Sequence, residues 1–210
     1  MPPHYHDTIN LANPTHRPRL EEEQRAALYL QPRTCYRFSE EPVTEEQLRE
    51  IHQLTVMGPT AYNNQPLRIT WVKTPEARER LVKHMMDGNK EKTLKAPVTA
   101  VLAFDKNWQK RFGEFAPQAA AFESYYEAEE ARIPAGALSS ALQAGYFLTA
   151  VRALGLDAGP MTGADFDGIA AEFFEGTDQQ PFLVVNLGYG VAPEYPRGTR
   201  FEFDDVTRSI

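Results

Sequence analysis

Residues 98–104, Val-Thr-Ala-Val-Leu-Ala-Phe, decide the fold class because they form an unbroken run of apolar and β-branched side chains. Such a run is typical of a strand that is buried on both faces of a sheet. Two further strands are predicted over Leu67–Val72 (LRITWV) and Phe182–Leu187 (FLVVNL). Helical patterns occupy most of the chain between these strands, so the sequence predicts an α+β fold.

The clearest helix begins at Thr44, where the spacing Thr-x-x-Gln of a capping box precedes apolar residues at helical intervals. Gly58-Pro59 ends this helix. The other predicted helices cover Glu21–Leu30, Pro75–Met86 and Gly88–Lys95, and two or three more lie within Lys106–Leu154, the last over Gly136–Leu154. The glycine-rich stretch Gly155–Gly163 is predicted to be a loop between two helices.

The chain is predicted to form one domain. Its 210 residues fit one large domain or two small ones, and neither a linker nor an internal repeat divides them. Residues 1–16 are predicted to be a mobile N-terminal arm, and residues 191–210 an irregular C-terminal arm.

Composition and charge exclude several classes of protein. With 22 Lys and Arg against 29 Asp and Glu, the net charge of −7 argues against general nucleic-acid binding. The single cysteine excludes an intramolecular disulfide and a four-thiolate metal site, and His4 and His6 have no third ligand nearby, so no metal is expected. The chain has no apolar run of membrane-spanning length, and its first ten residues are too polar for a signal peptide. We therefore expect a cytoplasmic protein that does not contact the membrane.

Four separated segments carry groups that could bind a planar, phosphorylated cofactor. In residues 33–38 (RTCYRF), Arg33 and Arg37 flank a hydroxyl and can grip a phosphate, although exposed arginines before a helix are common. Residues 58–66 (GPTAYNNQP) offer three carboxamides in a loop stiffened by two prolines. The alternative for this loop is an ordinary turn that uses Asn and Pro for their turn chemistry.

The other two segments have equally simple alternatives. Asn89 and Lys92 are three residues apart on a predicted helix and share a face, which could contact one ligand or only solvent. Residues 155–163 (GLDAGPMTG) could present backbone N–H groups to a ligand, or could be only a helix C-cap followed by a turn.

The order and spacing of these segments resemble a known family. The stretches R-T-x-x-R-F, G-P-T-A-x-N-x-Q-P, G-N-x-x-K-T-L-x-A-P-V-T-A, R-A-L-G-L-D-A-G-P-M-T-G and N-L-G-Y-G follow one another between Arg33 and Arg200. This succession closely resembles the FMN-dependent nitroreductase family. Within it, the chain is similar to the branch named malonic semialdehyde reductase or NADH dehydrogenase/NAD(P)H nitroreductase.

The resemblance implies a nitroreductase-like fold, in which a central mixed β-sheet is flanked by helices and an exchanged C-terminal arm interlocks two subunits as a homodimer. FMN is expected at the subunit interface, with no catalytic side chain because the chemistry takes place at flavin N5. The family has a serine in this segment, and two alignments are possible. Counting forward from Arg33 places Cys35 at the serine position, whereas counting back from Phe38 places Thr34 there. Both alignments stay open. The implied cofactor-binding residues are Arg33, Thr34, Cys35, Arg37, Pro59, Thr60, Ala61, Asn63, Gln65, Asn89, Lys92, Pro160, Met161, Thr162, Gly163, Arg197 and Arg200.

The resemblance also implies an activity. Hydride would pass from NADH or NADPH to flavin N5 and then to a small acceptor, such as malonic semialdehyde or a nitro or quinone compound. Four aromatic residues within Phe112–Ala131, namely Phe115, Phe122, Tyr125 and Tyr126, are expected either to cover the substrate cleft or to be core residues at helical spacing. Two alternatives remain, which are a homodimer that binds or handles FMN without turnover and a structural homodimer that has lost the cofactor.

Overall fold

The computed structural model describes residues 19–192 and 195–210. Its sheet has four strands, β1 (Leu67–Val72), β2 (Val98–Asp105), β3 (Asp157–Met161) and β4 (Gln179–Gly188), in the order β1-β2-β4-β3. The predicted N-terminal arm of residues 1–16, with its two histidines, lies outside the described residues.

All three strand pairings are antiparallel, so the expectation of a mixed sheet is wrong for the described part of the chain. The register places Val101 of β2 opposite Thr70 of β1 and Val184 of β4. A bulge interrupts the β2–β4 pairing between Leu102 and Ala103.

The helices surround this sheet. They are α1 (Glu22–Arg25), which continues as a π-helix over Ala26–Leu30, α2 (Glu45–Thr55), α3 (Pro75–Val82), α4 (Asp87–Leu94), α5 (Phe112–Phe115), α6 (Glu129–Ala153), α7 (Phe166–Phe173) and α8 (Phe203–Val206). Three 3₁₀ segments lie over Ala61–Asn63, Trp108–Arg111 and Pro117–Glu127. No helix among the described residues is long and apolar enough to cross a membrane.

The core has two layers, one on each side of the sheet. On one side, Leu102 of β2 packs with Ile51 of α2 and Phe147 of α6. On the other, Val101 packs with Leu81 of α3 and Ile169 of α7, among other residues. Neighbouring residues of β2 thus point to opposite layers, which confirms the prediction of a strand buried on both faces.

Several predicted boundaries need correction. Residues 157–161 are not part of a loop but form the edge strand β3, because pairing with β4 supplies hydrogen bonds that no local pattern predicts. Pro160 is tolerated there because an edge strand has one unpaired side. Helix α6 begins at Glu129 rather than Gly136, and Pro134 lies only in its second turn. Helix α3 ends at Val82, four residues earlier than predicted.

Candidate functional site

A cleft of about 510 Å³ opens where the segment after α1 crosses the edge of the sheet. Cavities of about 300–1,000 Å³ are typical of small-molecule sites. Three parts of the chain form this cleft, which we call the cofactor cleft because it contains the segment predicted to bind a phosphate. It is lined by Gln31, Arg33, Thr34, Cys35, Tyr36, Arg37, Asp157, Gly190, Val191, Ala192 and Tyr195.

Backbone hydrogen bonds hold the arginine segment, residues 33–38, against the sheet. The N–H of Cys35 donates to the carbonyl of Ala158 at 2.9 Å, and the N–H of Val191 donates to the carbonyl of Arg37 at 2.9 Å. Gly159 permits this close approach, because a Cβ there would lie 2.3 Å from the carbonyl oxygen of Cys35. The segment therefore occupies its place only because β3 presents a glycine to it.

The cleft is more positive than negative. Arg33 and Arg37 contribute two guanidinium groups, and Asp157 is the only acid among its described lining residues. Arg33 donates through Nη1 to the carbonyl of Tyr195, which leaves further N–H donors on the same guanidinium for a ligand. In a chain with a net charge of −7, this local excess of positive charge favours an anionic ligand.

The thiol of Cys35 is buried beneath this segment. It donates from Sγ to the carbonyl of Arg37 at 2.9 Å. Burial raises the pKa of the Cys35 thiol, so the neutral form predominates at neutral pH. The thiol therefore acts as a small packing residue and a local hydrogen-bond donor rather than as a nucleophile.

The third and fourth segments meet each other beside the cleft. Asn89 of α4 donates from Nδ2 to the carbonyl of Gly163 at 2.8 Å, and the N–H of Met86 donates to the same carbonyl at 3.0 Å. A Cβ on Gly163 would lie 2.6 Å from Nδ2 of Asn89. The ammonium of Lys92 lies 4.7 Å from the centroid of the Tyr36 ring, which lines the cleft. Burial lowers the pKa of the Lys92 ammonium.

A buried polar network, which was not predicted from the sequence, connects α4 to strands β2 and β4. Thr99 of β2 donates to Oδ1 of Asn186 at 2.8 Å, and Nδ2 of Asn186 donates to Oγ1 of Thr93 at 3.2 Å. Thr93 also lies 4.0 Å from the sulfur of Met161. The signal for this network was a polar residue within each of two apolar strand runs, where a buried side chain needs a partner.

The second segment lies elsewhere. Tyr62, Asn63 and Gln65 have left-handed backbone angles, with φ of 52°, 54° and 41°. Asn63 donates to the carbonyl of Phe115 at 3.2 Å and accepts from Nε2 of Gln65 at 3.0 Å. Non-glycine residues rarely adopt this conformation, and they do so mainly where the surroundings impose it at functional sites. None of the residues 58–66 lines the cofactor cleft.

The arginines of the C-terminal arm are also outside the cleft. Arg197 donates to the carbonyls of Leu30, Gln31 and Pro32, directly before the arginine segment. Within the part of the chain that the structure describes, Arg200 donates to the carbonyls of Gly198 and Thr199 of the arm itself. The structure thus brings Arg197 near the cleft and leaves Arg200 apart from it.

The aromatic residues of 112–131 divide between core and surface. Phe112 is buried, whereas Phe122 and Tyr125 are 49% and 64% exposed. The ring of Tyr62 stacks on Phe122 with centroids 5.2 Å apart. Of the four predicted aromatic residues, Phe115 and Tyr126 are half-buried, and Tyr126 packs against the buried cluster that contains Trp108 and Phe112, as the core interpretation expects. The exposed Phe122 lies beside the loop of residues 58–66, and a role for it or Tyr125 in covering a substrate cleft stays a prediction.

Comparisons with known proteins cover most of the chain. The family model described as "Nitroreductase family" matches residues 30–189. A protein of Streptomyces coelicolor named "Putative NADH dehydrogenase/NAD(P)H nitroreductase" is 45% identical over 185 residues, which cover 87% of this chain and 94% of that protein. A protein of the same name from Caulobacter sp. is 37% identical over 184 residues, again covering 87% and 94%.

Solved structures share the fold. The nitroreductase family protein from Streptococcus pneumoniae superposes with a TM-score of 0.75 at 20% identity, covering 89% of this chain and 98% of that one. A structure from Exiguobacterium sibiricum, described as "a putative nitroreductase in complex with FMN", superposes with a TM-score of 0.78 at 17% identity, covering 92% and 98%.

Proposed function

The chain belongs to the nitroreductase family, and on that premise we propose that it is an FMN-dependent oxidoreductase that uses NADH or NADPH. The observation that carries the proposal is the cofactor cleft, where the arginine segment adjoins Lys92 and the Asn89–Gly163 contact. The relatives named NAD(P)H nitroreductases support the reaction type.

The residues of the cleft fit FMN. Its phosphate requires cationic and hydroxyl groups, which Arg33, Arg37 and Thr34 supply. The ring requires polar donors at its pyrimidine edge, and α4 can provide Lys92 and Asn89, which lie outside the cleft's lining but reach it where Lys92 contacts the lining residue Tyr36. Cys35 is better suited to pack beneath the segment than to bind the ligand through its neutral thiol.

Bound FMN would supply the redox chemistry, accepting hydride from the nicotinamide and passing reducing equivalents to an acceptor. The protein would bind and orient it. Lys92 would place a positive charge beside the ring and so favour its reduced, anionic form. The strand residues Pro160 and Met161, with Thr162 and Gly163 after them, would form the wall against the ring.

We propose that a second copy of the chain completes the site. Lys92 lies outside the lining but contacts the lining residue Tyr36. By contrast, the described hydrogen bonds of residues 60–65 go to Arg68, Phe115, Ser139 and one another, so this segment is available to the cleft of a partner. Leu138, Leu142 and Tyr146 recur every four residues along α6 and are 66%, 48% and 44% exposed. An apolar stripe of this kind is typical of a helix that packs against a partner.

The C-terminal arm is proposed to cross to that partner. Phe201 and Phe203, the latter at the start of α8, are 81% and 74% exposed, and exposed aromatic side chains of this kind are typical of a surface that a partner covers. Strand β1 is at an open edge, beside a cavity of about 580 Å³ whose lining includes Trp71, Arg68 and Arg111. This groove offers apolar and cationic partners to the aromatic and acidic residues of the arm.

Light scattering tests the assembly. We expect a dimer for the wild-type protein, and a weakened dimer when a charge enters the α6 stripe as Leu142→Glu or when residues 199–210 are removed. A folded monomer that carries FMN would refute the shared site.

Nitroaromatic and quinone compounds are the proposed acceptors. The exposed Tyr62–Phe122 stack beside Asn63 offers a flat apolar surface that suits planar rings. Malonic semialdehyde is the second candidate and rests on the branch resemblance. The Phe122→Ala variant should raise KM for the aromatic acceptors while leaving KM for malonic semialdehyde unchanged. The opposite pattern would favour the aldehyde acid.

The deciding experiment is spectroscopic and kinetic. We expect the purified protein to absorb near 450 nm (roughly, as an oxidised flavin does) and to consume NADH or NADPH when an acceptor is added. Binding of FMN without turnover would indicate a flavin-handling protein, and no binding would indicate a structural homodimer. The cytoplasmic location stays a prediction that cell fractionation can check.

A further inference from the structure

Lys92 differs from its neighbouring lysines on α4 in the partner that it has. Lys90 pairs with Asp87 at 2.7 Å and Lys95 pairs with Glu91 at 2.6 Å, both on the exposed side of the helix. Among the described residues, Lys92 has no carboxylate within ion-pair distance, and its ammonium instead lies 4.7 Å from the ring centroid of Tyr36. This distance is within the range of a cation–π interaction.

The backbone on both sides of Tyr36 is tied to the sheet. The N–H of Cys35 donates to the carbonyl of Ala158, and the carbonyl of Arg37 accepts from the N–H of Val191, each at 2.9 Å. Two bonds that flank a single residue leave its backbone little freedom. The ring of Tyr36 therefore projects from a fixed point and makes a second aromatic contact with Tyr195, at 6.0 Å between centroids.

Burial disfavours the charged form of the Lys92 ammonium, whereas the aromatic ring favours it. Partial burial removes water from the ammonium and lowers its pKa. The face of an aromatic ring carries negative electrostatic potential and stabilises the charged form in place of that water. In the described part of the chain, the ring is thus the one group that both orients the ammonium and favours its charge.

We propose that Tyr36 is a positioning residue that holds the charged ammonium of Lys92 at the cofactor cleft through its ring face. The proposal rests on the FMN-binding function proposed above, because it assigns Tyr36 a role only through Lys92. It predicts that FMN binding depends on the aromatic ring of Tyr36 and not on its hydroxyl, which is hydrogen-bonded to the side chain of Tyr195.

The test compares Tyr36→Leu with the matched control Tyr36→Phe, which keeps the ring and removes only the hydroxyl. We expect Tyr36→Leu to weaken FMN binding by the FMN-free protein about three- to tenfold and to lower the midpoint potential of the bound FMN. Tyr36→Phe should leave the FMN affinity and the midpoint potential within about twofold of wild type. Fluorescence titration and dye equilibration measure them, and circular dichroism confirms that each variant is folded.

A second comparison separates Lys92 from direct contact between Tyr36 and FMN. In a Lys92→Met background, Tyr36→Leu should have no further effect on affinity, because the group that it positions is gone. An equal loss in both backgrounds would overturn the proposal, as would wild-type affinity in Tyr36→Leu.

NMR of the FMN-free protein distinguishes failure of this proposal from failure of the proposed function. With ¹³C-labelled lysine, the ε-methylene protons of Lys92 should show an upfield ring-current shift that is present in Tyr36→Phe and lost in Tyr36→Leu. Presence of this shift in a protein that does not bind FMN would refute the proposed function and leave the contact established. Absence of the shift in a protein that does bind FMN would refute the role of Tyr36 alone.

Discussion

Substitution of Gly159 by alanine tests whether the arginine segment depends on close packing against β3. The added Cβ would lie 2.3 Å from the carbonyl oxygen of Cys35, so it must move by about 1 Å to reach an ordinary carbon–oxygen contact. Both sides of this contact are backbone, and neither can turn aside as a flexible side chain would. The neighbouring bond from the N–H of Cys35 to the carbonyl of Ala158, 2.9 Å long, is therefore expected to lengthen or break.

The expected cost combines two effects. Overpacking of a tight contact costs about 1–3 kcal/mol, and the loss of one hydrogen bond costs about 1 kcal/mol. Gly159→Ala should therefore lower the free energy of unfolding by about 2–4 kcal/mol. For a chain of this length, that corresponds to a fall in Tm of about 4–16 °C.

Calorimetry of the FMN-free protein measures the change in stability, and fluorescence titration measures FMN affinity. The affinity should fall at least about tenfold, because Arg33 and Arg37 move with the segment. The control is Gly88→Ala, because no atom lies within 4 Å of a Cβ built on Gly88 in α4. It should leave Tm unchanged or slightly raised. A Gly159→Ala protein with wild-type Tm and FMN affinity would refute the packing argument.

Three further predictions concern single side chains. Arg33→Ala should weaken FMN binding while sparing riboflavin, which lacks the phosphate, in parallel fluorescence titrations; an equal loss for both ligands would show that Arg33 does not bind a phosphate. Lys92→Ala should weaken FMN binding or slow FMN reduction by about ten- to hundredfold, because a charged contact is lost. If stopped-flow reduction and FMN affinity both match wild type, Lys92 is only a solvated residue. Hydrogen bonds from Arg80 and His84 lower the pKa of Glu172, so its stabilising effect is present above the ordinary pKa of 4.5 and is lost as the pH falls through the lowered value. Thermal melting between pH 7 and pH 3 should therefore show a smaller acid-induced loss of stability for Glu172→Gln than for wild type, and identical curves would contradict this.

The sequence by itself determined the elements whose local pattern and burial agree. β2 is a continuous apolar run, and the helices packed on each side of the sheet bury both of its faces. Helix α2 begins at the capping box of Thr44, where Thr44 accepts from the N–H of Gln47 and the side chain of Gln47 accepts from the N–H of Thr44. Such features depend on neighbours only a few residues apart, so they can be predicted without the tertiary structure. The order of the motifs also sufficed to identify the family.

Only the tertiary structure decided which of the motifs meet. Residues 157–161 become a strand because β4 offers a partner, although their glycine and proline are typical of a turn. The arginine segment reaches Lys92 of α4 through packing across more than fifty residues, and residues 58–66 lie outside the cleft of their own chain. Such placements depend on long-range pairing and on steric fit, as at Gly159, and no pattern of neighbouring residues records them.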